Sequence, residues 1–311
     1  MNLRDHPLLI VDGAMGTNLQ ALDLPDSVWG GNDGCNEFLN LTCPEAITEL
    51  HTRFVEAGAM ILETNTFGAT RTVLAEYGLE NEVQRINHAA VANAKNAIGN
   101  RENCYVAGSV GPTTKLASLG HITVDELGHA LREQMSALIE AGVDALIIET
   151  CQDLLQVKTA VVACFEVLAE KGLDLPVMVS VTVEQTGTML VGSDIAAAAV
   201  TLEPFPVFSL GLNCATGPAD MVSKIRYLGK NWPHRISCIP NQGLPEIVDG
   251  ETVYPLSPEG YAEHMKTFVT EYGVSIVGGC CGTTPEHTRC LVKALNGVVP
   301  QPIPTRRCRP G

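Results

Sequence analysis

Eight short apolar runs alternate along the chain with longer amphipathic stretches. The runs cover residues 8–12, 59–63, 105–110, 145–149, 177–183, 207–213, 235–240 and 275–280, and each predicts a strand. Apolar residues recur every three or four positions over 44–57, 124–141, 154–171 and 258–272, which predicts helices between the strands. Because continuous apolar strands joined by crossover helices are typical of buried parallel sheets, we expect a parallel sheet covered by helices.

Eight strand–helix units favour a single-domain α/β protein, a (β/α)8 TIM barrel. The alternative is an open doubly wound sheet, but no G-x-G-x-x-G follows the first predicted strand. The phrases "FVEAGAMILET" and "LIEAGVDALIIET" both predict a helix end, a glycine cap and a strand. Residues 298–311 are rich in proline and lack periodicity, so we expect a domain over residues 1–297 and a tail or linker after it.

Composition narrows the class of protein. The chain has 311 residues and 45% hydrophobic content, enough for a full core, but no apolar run long enough to span a membrane. The N-terminus lacks the apolar region of a signal peptide, so we expect a soluble cytoplasmic protein. A net charge of −15 without a basic cluster argues against a nucleic-acid partner. Eleven cysteines, an odd number, favour reduced thiols.

The residues at the carboxyl ends of the predicted strands are unusually polar. They are Asp12, Glu63, Glu149, Asn213 with Cys214, Asn241, and Cys280 with Cys281. In a barrel these ends converge at one mouth, where binding and catalytic residues lie. Each has a structural alternative, since Asp12 could cap a helix and Cys214 could be a buried apolar residue. Glutamate is a poor helix cap, however, and several such groups at one mouth favour a functional site.

The adjacent cysteines 280 and 281 predict a metal site. Gly278, Gly279 and Gly282 would let the backbone turn there, so that both thiols face the barrel mouth together with Cys214. Three thiolates suit Zn²⁺ and leave its fourth tetrahedral position open. Such an electron-rich site is poor at making hydroxide, but it can bind a thiol substrate and remove its proton. We therefore expect activation of a thiol for alkylation.

The remaining cysteines show no ligand spacing, and we expect them to be ordinary core residues, with His287 structural in the last helix. These cysteines are Cys35, Cys43, Cys104, Cys151, Cys164, Cys238, Cys290 and Cys308.

Seven segments occur in the order and spacing of a known family. They are "DGAMGT", "ETNTFGAT", "GPT", "IIET", "GLNCATGP", "PNQGLPE" and "IVGGCCGTTPEH". Nearly the whole chain resembles the homocysteine S-methyltransferase family, and it most resembles the N-terminal homocysteine-binding domain of cobalamin-dependent methionine synthases. The resemblance implies a (β/α)8 barrel in which a zinc-bound homocysteine thiolate attacks an electrophilic methyl group, that of methylcobalamin, to give methionine.

The same resemblance implies roles for individual residues. Cys214, Cys280 and Cys281 would hold Zn²⁺, with the homocysteine sulfur as the exchangeable fourth ligand. Asp12 and Glu149 would bind the substrate ammonium group, and the backbone at Gly13 and Ala14 would meet its carboxylate. Asn241 would line the zinc site and fill the metal position without substrate, although Pro-Asn-Gln-Gly departs here from the family's Pro-Asn-Ala-Gly. Glu63 and Asn213 would contact these binding residues and hold them in position.

Other functions remain open at this point. No corrinoid-binding D-x-H-x-x-G segment or folate barrel is present, so a corrinoid-binding and methyl-donor domain or protein would lie elsewhere. A self-contained enzyme that uses S-methylmethionine or betaine is an alternative methyltransferase. A non-catalytic zinc-binding protein, with a regulatory or storage role, is a second alternative. A redox protein that uses Cys280 and Cys281 ranks last, because a C-x-x-C pair would be expected.

Overall fold

The structure, a computed structural model, describes residues 2–244, 246–248, 251–253 and 256–303. Eight parallel strands form one sheet: β1 Leu9–Ile10, β2 Ile61–Glu63, β3 Tyr105–Val110, β4 Ala145–Cys151, β5 Val177–Val181, β6 Ser209–Asn213, β7 Arg235–Ile239 and β10 Val274–Val277. Two further strands, β8 Glu246–Val248 and β9 Glu251–Val253, form an antiparallel hairpin. The helices are α1 Gly16–Gln20, α2 Leu39–Thr42, α3 Pro44–Ala57, α4 Arg71–Leu74, α5 Val83–Ile98, α6 Val124–Ala141, α7 Leu154–Lys171, α8 Ile195–Leu202, α9 Pro218–Asn231, α10 Pro258–Tyr272 and α11 Pro285–Leu295.

The eight parallel strands close into a barrel. Their spatial order is β1-β10-β7-β6-β5-β4-β3-β2, and a parallel bridge between Val11 and Ile61 joins the two ends. At this seam Met60 N–H donates to Ile10 O at 2.7 Å, and Asp12 N–H donates to Ile61 O at 2.9 Å. The predicted single α/β domain with a (β/α)8 TIM-barrel fold is therefore confirmed.

All eight predicted strands are present, and the four predicted helices begin and end at the predicted residues. Strand ends were less accurate, because β1 ends at Ile10 and β10 already ends at Val277. The hairpin β8–β9 was not predicted. Gly58 and Gly142 end α3 and α6 in the left-handed conformation, with φ of 101° and 85°, as the repeated phrases predict.

The core has two layers that follow the strand period of two. Alternate strand residues, among them Leu9, Ile61, Ile147 and Ile276, fill the barrel interior. Their neighbours pack against the helices in a larger cluster, for example Leu62 and Ile148. This arrangement fixes the strands, so the residues that follow them project into the mouth.

The other cysteines mostly behave as predicted. Five are buried, namely Cys35, Cys43, Cys151, Cys164 and Cys238, whereas Cys104 and Cys290 are partly exposed. Cys308 lies outside the described residues. His287 is buried in α11, where its Nδ1 accepts the Thr284 N–H at 3.2 Å, so it has the structural role that was predicted.

Part of the proline-rich end contacts the barrel. Gln301 N–H donates to Val269 O at 2.9 Å, and Ile303 packs against the core. The domain boundary at residue 297 stays a prediction, and residues 304–311 lie outside the described part of the chain. Within the described residues, no helix is long and apolar enough to cross a membrane.

Candidate active site

A cavity of about 290 Å³ opens at the carboxyl ends of the barrel strands. Its lining includes three carboxyl groups, those of Glu37, Glu63 and Glu149, and the thiols of Cys214, Cys280 and Cys281. Among the side chains that the structure describes, no lysine, arginine or histidine lines it. The carboxyl groups therefore suit a ligand with a positively charged group, and the three thiols suit a metal ion that prefers sulfur ligands.

The three cysteine sulfurs converge at one side of this cavity. The Sγ atom of Cys281 lies 3.9 Å from that of Cys214 and 4.0 Å from that of Cys280, and all three lie within 4.8 Å of one another. Zinc–sulfur bonds of about 2.3 Å in a tetrahedron place sulfurs about 3.8 Å apart. The thiols thus have the chemistry and the spacing of a zinc site with one position free.

The turn after β10 presents both adjacent thiols to the cavity. Cys280 N–H donates to Pro240 O at 2.8 Å, and Gln242 N–H donates to Cys281 O at 3.0 Å, so the turn is tied to the loop after β7. Gly282 has φ of +80°, as a left-handed turn requires. Gly278 and Gly279 were expected to allow a backbone turn, but glycine is required at both positions because a side chain would not fit. A Cβ atom at 278 would lie 2.7 Å from Val11 Cβ, and one at 279 would clash with the Thr283 side chain.

The thiols also interact with one another in the protein alone. Contacts from Cys214 and then Cys280 lower the pKa of Cys281, because two neighbouring thiols stabilise its thiolate. The same contacts, from Cys214 and Cys281, raise the pKa of Cys280. Of the three thiols, that of Cys281 is therefore the one that ionises most readily.

Glu149 lies on the cavity wall at the end of β4. Its Oε1 accepts the Ser109 hydroxyl at 2.6 Å, and its Oε2 accepts Asn213 Nδ2 at 3.3 Å. Burial raises the pKa of Glu149 to about 7. Burial, followed by the charges of Glu149 and Asp12, also raises the pKa of Glu63. A raised pKa means that ionising these buried carboxyl groups costs free energy, and an ammonium group in the cavity would offset that cost.

Asp12 lies behind the cavity wall and does not line it. Its side chain is 2% exposed, and its Oδ2 accepts the Glu63 N–H at 3.2 Å. His51 Nδ1 lies 3.9 Å from the same oxygen, but burial lowers the pKa of His51 to about 4, so a neutral imidazole faces Asp12. Asp12 thus contacts the backbone at Glu63, which does line the cavity.

The structure therefore divides the predicted residues into two groups. Gly13, Ala14, Glu63, Glu149 and the three cysteines line the cavity, whereas Asp12, Asn213 and Asn241 are buried behind it. Ala14 N–H already donates to Thr283 Oγ1 at 3.2 Å. Asn241 Oδ1 is buried and has no hydrogen-bond partner among the described residues, as a group near a cation site would.

Several cavity residues were missed by sequence reasoning. Glu37 is 9% exposed, and its Oε1 accepts the Gly68 N–H at 2.6 Å. Asn36, Asn65 and Phe67 line the cavity nearby. Glu37 and Asn36 lie in the long connection between β1 and α3, where no strand end predicts the direction of a side chain. The stretch "GGNDGCNEFLNLTCPEAI" contributes to the resemblance to the methionine synthases, but it gave neither residue a role.

Comparison with known proteins identifies the family. A family model described as homocysteine S-methyltransferase matches residues 9–295. The chain belongs to the homocysteine S-methyltransferase family. It is 42% identical over 302 residues to methionine synthases of Mycobacterium leprae and Mycobacterium tuberculosis, covering 94% and 96% of this chain. These matches cover 25% of each relative, so the chain spans about a quarter of their length.

Solved structures of one family member have a similar fold. The homocysteine methyltransferase MmuM from Escherichia coli is 25% identical in its oxidized form, with a TM-score of 0.74, and the match covers 94% of this chain and 97% of that one. Its metallated form gives 25% identity and a TM-score of 0.73, with 94% and 98% covered. The family assignment thus agrees with the barrel fold.

Proposed function

We propose that this chain is a zinc-dependent homocysteine S-methyltransferase, with methylcobalamin as the methyl donor bound on another domain or protein. The observation that carries the proposal is the set of three cysteine sulfurs, with Cys281 Sγ 3.9 and 4.0 Å from the other two, beside a cavity with acidic walls. Family membership and the similarity to methionine synthases support the same activity.

Different residues of the chain would bind the two ends of the substrate. Cys214, Cys280 and Cys281 would hold the metal, and Glu149 with Glu63 would hold the ammonium group by charge-assisted hydrogen bonds. When bound, zinc would take up the homocysteine sulfur and lower its pKa from about 8.5, so that the thiolate forms near neutral pH.

The substrate carboxylate must be bound without a cationic side chain. No basic residue lines the described cavity, so neutral donors have to serve. The backbone at Gly13, the amide of Asn36 and the second N–H of the Asn65 amide, whose first N–H donates to Asn36 O at 2.7 Å, lie there. We assign the carboxylate end of homocysteine to this side of the cavity. A volume of about 290 Å³ suits an amino acid but not a corrinoid, so the methyl donor would approach from outside.

The chemical step needs no acid or base from the chain. The thiolate sulfur forms the new sulfur–carbon bond, and the methyl group's bond to the donor breaks, with its electron pair remaining on the donor. The chain contributes by orienting the sulfur and by excluding water from the buried carboxylates.

A second donor class follows from the similarity to MmuM. That homocysteine methyltransferase matches this chain over 97% of its own length, whereas the chain spans about a quarter of the methionine synthases, so an enzyme made of the barrel alone is the second candidate. S-methylmethionine or betaine would then be the donor.

Methionine formation with each donor in turn tests the proposal. The zinc-loaded chain is incubated with homocysteine and methylcobalamin, S-methylmethionine or betaine. We expect methionine from methylcobalamin and little from the other two. Turnover only with a sulfonium or ammonium donor would establish the alternative enzyme. A zinc-loaded chain that binds homocysteine but transfers no methyl group from any donor would be a non-catalytic zinc protein.

A further inference from the structure

Two residues on neighbouring parts of the cavity wall have left-handed backbones. Thr150 has φ of 57° and directly follows Glu149, and Cys214 has φ of 60° and directly follows Asn213. This conformation is unfavourable for any residue with a side chain, and most of all for a β-branched one such as threonine. Strain of this kind persists only where surrounding contacts determine the backbone, and it clusters at functional sites.

The Asn213 side chain connects these two strained positions. Its Oδ1 accepts the Thr150 N–H at 2.9 Å and the Ser180 hydroxyl at 2.6 Å. Its Nδ2 donates to Thr150 Oγ1 at 2.7 Å and to Glu149 Oε2 at 3.3 Å. The residue is 1% exposed, so a rotation of the amide would break four buried hydrogen bonds without water to replace them.

The network therefore links the two ends of the cavity. Asn213 is joined by a peptide bond to Cys214, which belongs to the sulfur cluster, and it contacts Glu149 both directly and through Thr150. Thr150 contributes through both its N–H, which donates to the Asn213 amide, and its hydroxyl, which accepts from that amide and lies 3.5 Å from Glu149 Oε2 as a donor.

We propose that Thr150 is a positioning residue, which acts with Asn213 as a clamp that fixes the Glu149 carboxylate relative to Cys214. This inference rests on the proposed function, because the clamp would set the distance between the carboxylate that binds the amino group of homocysteine and the cysteines at which its sulfur binds. Loosening the clamp should weaken recognition of the amino group of homocysteine, and it should leave the binding of sulfur unchanged.

Three variants separate this role from a purely structural one. Thr150→Val keeps the side-chain shape and removes the hydroxyl, whereas Thr150→Ser keeps the hydroxyl. Thr150→Gly removes the hydroxyl together with the backbone strain, so strain cannot prevent it from folding. Thr159→Val is the matched control, since Thr159 is also buried and its hydroxyl donates to Leu155 O at 2.7 Å within α7.

Calorimetric titration of the zinc-loaded proteins with homocysteine and with 4-mercaptobutyrate, which lacks the amino group, tests the clamp. We expect Thr150→Val and Thr150→Gly to weaken homocysteine binding about tenfold and to bind 4-mercaptobutyrate within twofold of the parent. Thr150→Ser and Thr159→Val should bind both thiols as the parent does. Zinc content is measured for each protein, and we expect no change.

The outcomes separate the clamp from the proposed function. If Thr150→Val and Thr150→Gly weaken both thiols alike, or neither, while the parent binds both, the clamp is wrong and the proposed function stands. The same conclusion follows if Thr159→Val shows the selective loss. A parent protein that binds neither thiol overturns the proposed function, and the clamp with it, because no amino group would then need positioning.

Discussion

Replacing Glu149 with glutamine should weaken homocysteine binding through the amino end of the substrate alone. The substitution keeps the size of the side chain and one oxygen, which can accept the Ser109 hydroxyl, now 2.6 Å from Oε1, but the weaker bond from Asn213 Nδ2 to Oε2 at 3.3 Å is lost. It removes the negative charge that the cavity would offer to an ammonium group. Because the cysteines lie on other loops, zinc binding should be unaffected.

The magnitude follows from the surroundings of the carboxylate. A charge-assisted hydrogen bond contributes about 1.5–3 kcal/mol, and a neutral one roughly 1 kcal/mol. Because burial raises the pKa of Glu149 to about 7, the carboxyl group is roughly half ionised at neutral pH without ligand, and completing its ionisation costs about 0.4 kcal/mol. The difference between the two kinds of bond, about 0.5–2 kcal/mol less this ionisation cost, should weaken binding by up to about fifteenfold at pH 7, and by about two- to thirtyfold at pH 8, where the parent carboxylate is almost fully ionised.

The assay is a paired titration of parent and variant with homocysteine and with 4-mercaptobutyrate between about pH 6 and pH 8. Because both ligands carry a thiol, the effect of thiol ionisation cancels in the ratio of their affinities. In the parent this ratio should favour homocysteine increasingly as pH rises through the Glu149 pKa of about 7, and in Glu149→Gln the rise should be smaller, because only Glu63, whose pKa burial also raises, remains to ionise beside the ammonium group. If the variant loses zinc, or binds both thiols more weakly by the same factor, Glu149 supports the metal site or the fold and the reasoning is refuted.

Three further predictions concern protons, packing and pH. Homocysteine binding should release about one proton near neutral pH, as measured by calorimetry in buffers of different ionisation enthalpy, and equally tight binding of methionine would contradict thiolate formation. Gly279→Ala should destabilise the fold by about 1–3 kcal/mol in urea unfolding, because its Cβ would clash with Thr283. The control Gly128→Ala lies in α6 with its Cβ 3.8 Å from Thr159 and should be neutral or stabilising. Since folding raises the Glu149 pKa from 4.5 to about 7, this carboxyl group should account for a loss of about 3 kcal/mol of stability in the ligand-free protein as pH rises through that interval. A Glu149→Gln variant with the same pH dependence of unfolding would contradict this.

Hydrophobic periodicity located every barrel strand because parallel strands buried on both faces are continuous apolar runs. The hairpin β8–β9 was missed although the dipeptide Asp-Gly at 249–250, a strong hairpin indicator, separates its two strands in the sequence. Each of these strands has only three residues, too few for an alternating pattern to stand out. Short elements outside the barrel are thus the part of the fold that periodicity predicts least well.

The cysteines and Glu149 could be predicted because a barrel brings all its strand ends to one mouth. Strand position alone does not say which side of the wall a side chain reaches, and Asp12 proved to lie behind the cavity. Glu37 comes from an irregular connection, whose path depends on tertiary contacts such as the Gly68 N–H. The left-handed backbone of Thr150 is likewise imposed by Asn213, which is distant in sequence.

The zinc content of the purified chain shows whether Cys214, Cys280 and Cys281 form a metal site. Elemental analysis of protein prepared without chelator should give about one zinc per chain for the parent, because three thiolates form a soft tetrahedral site. Cys214→Ala should lose the metal. Cys164→Ala, which removes a buried thiol from α7 far from the sulfur cluster, should keep it. A parent without zinc, or a Cys214→Ala variant that retains zinc as fully as Cys164→Ala does, would contradict the account.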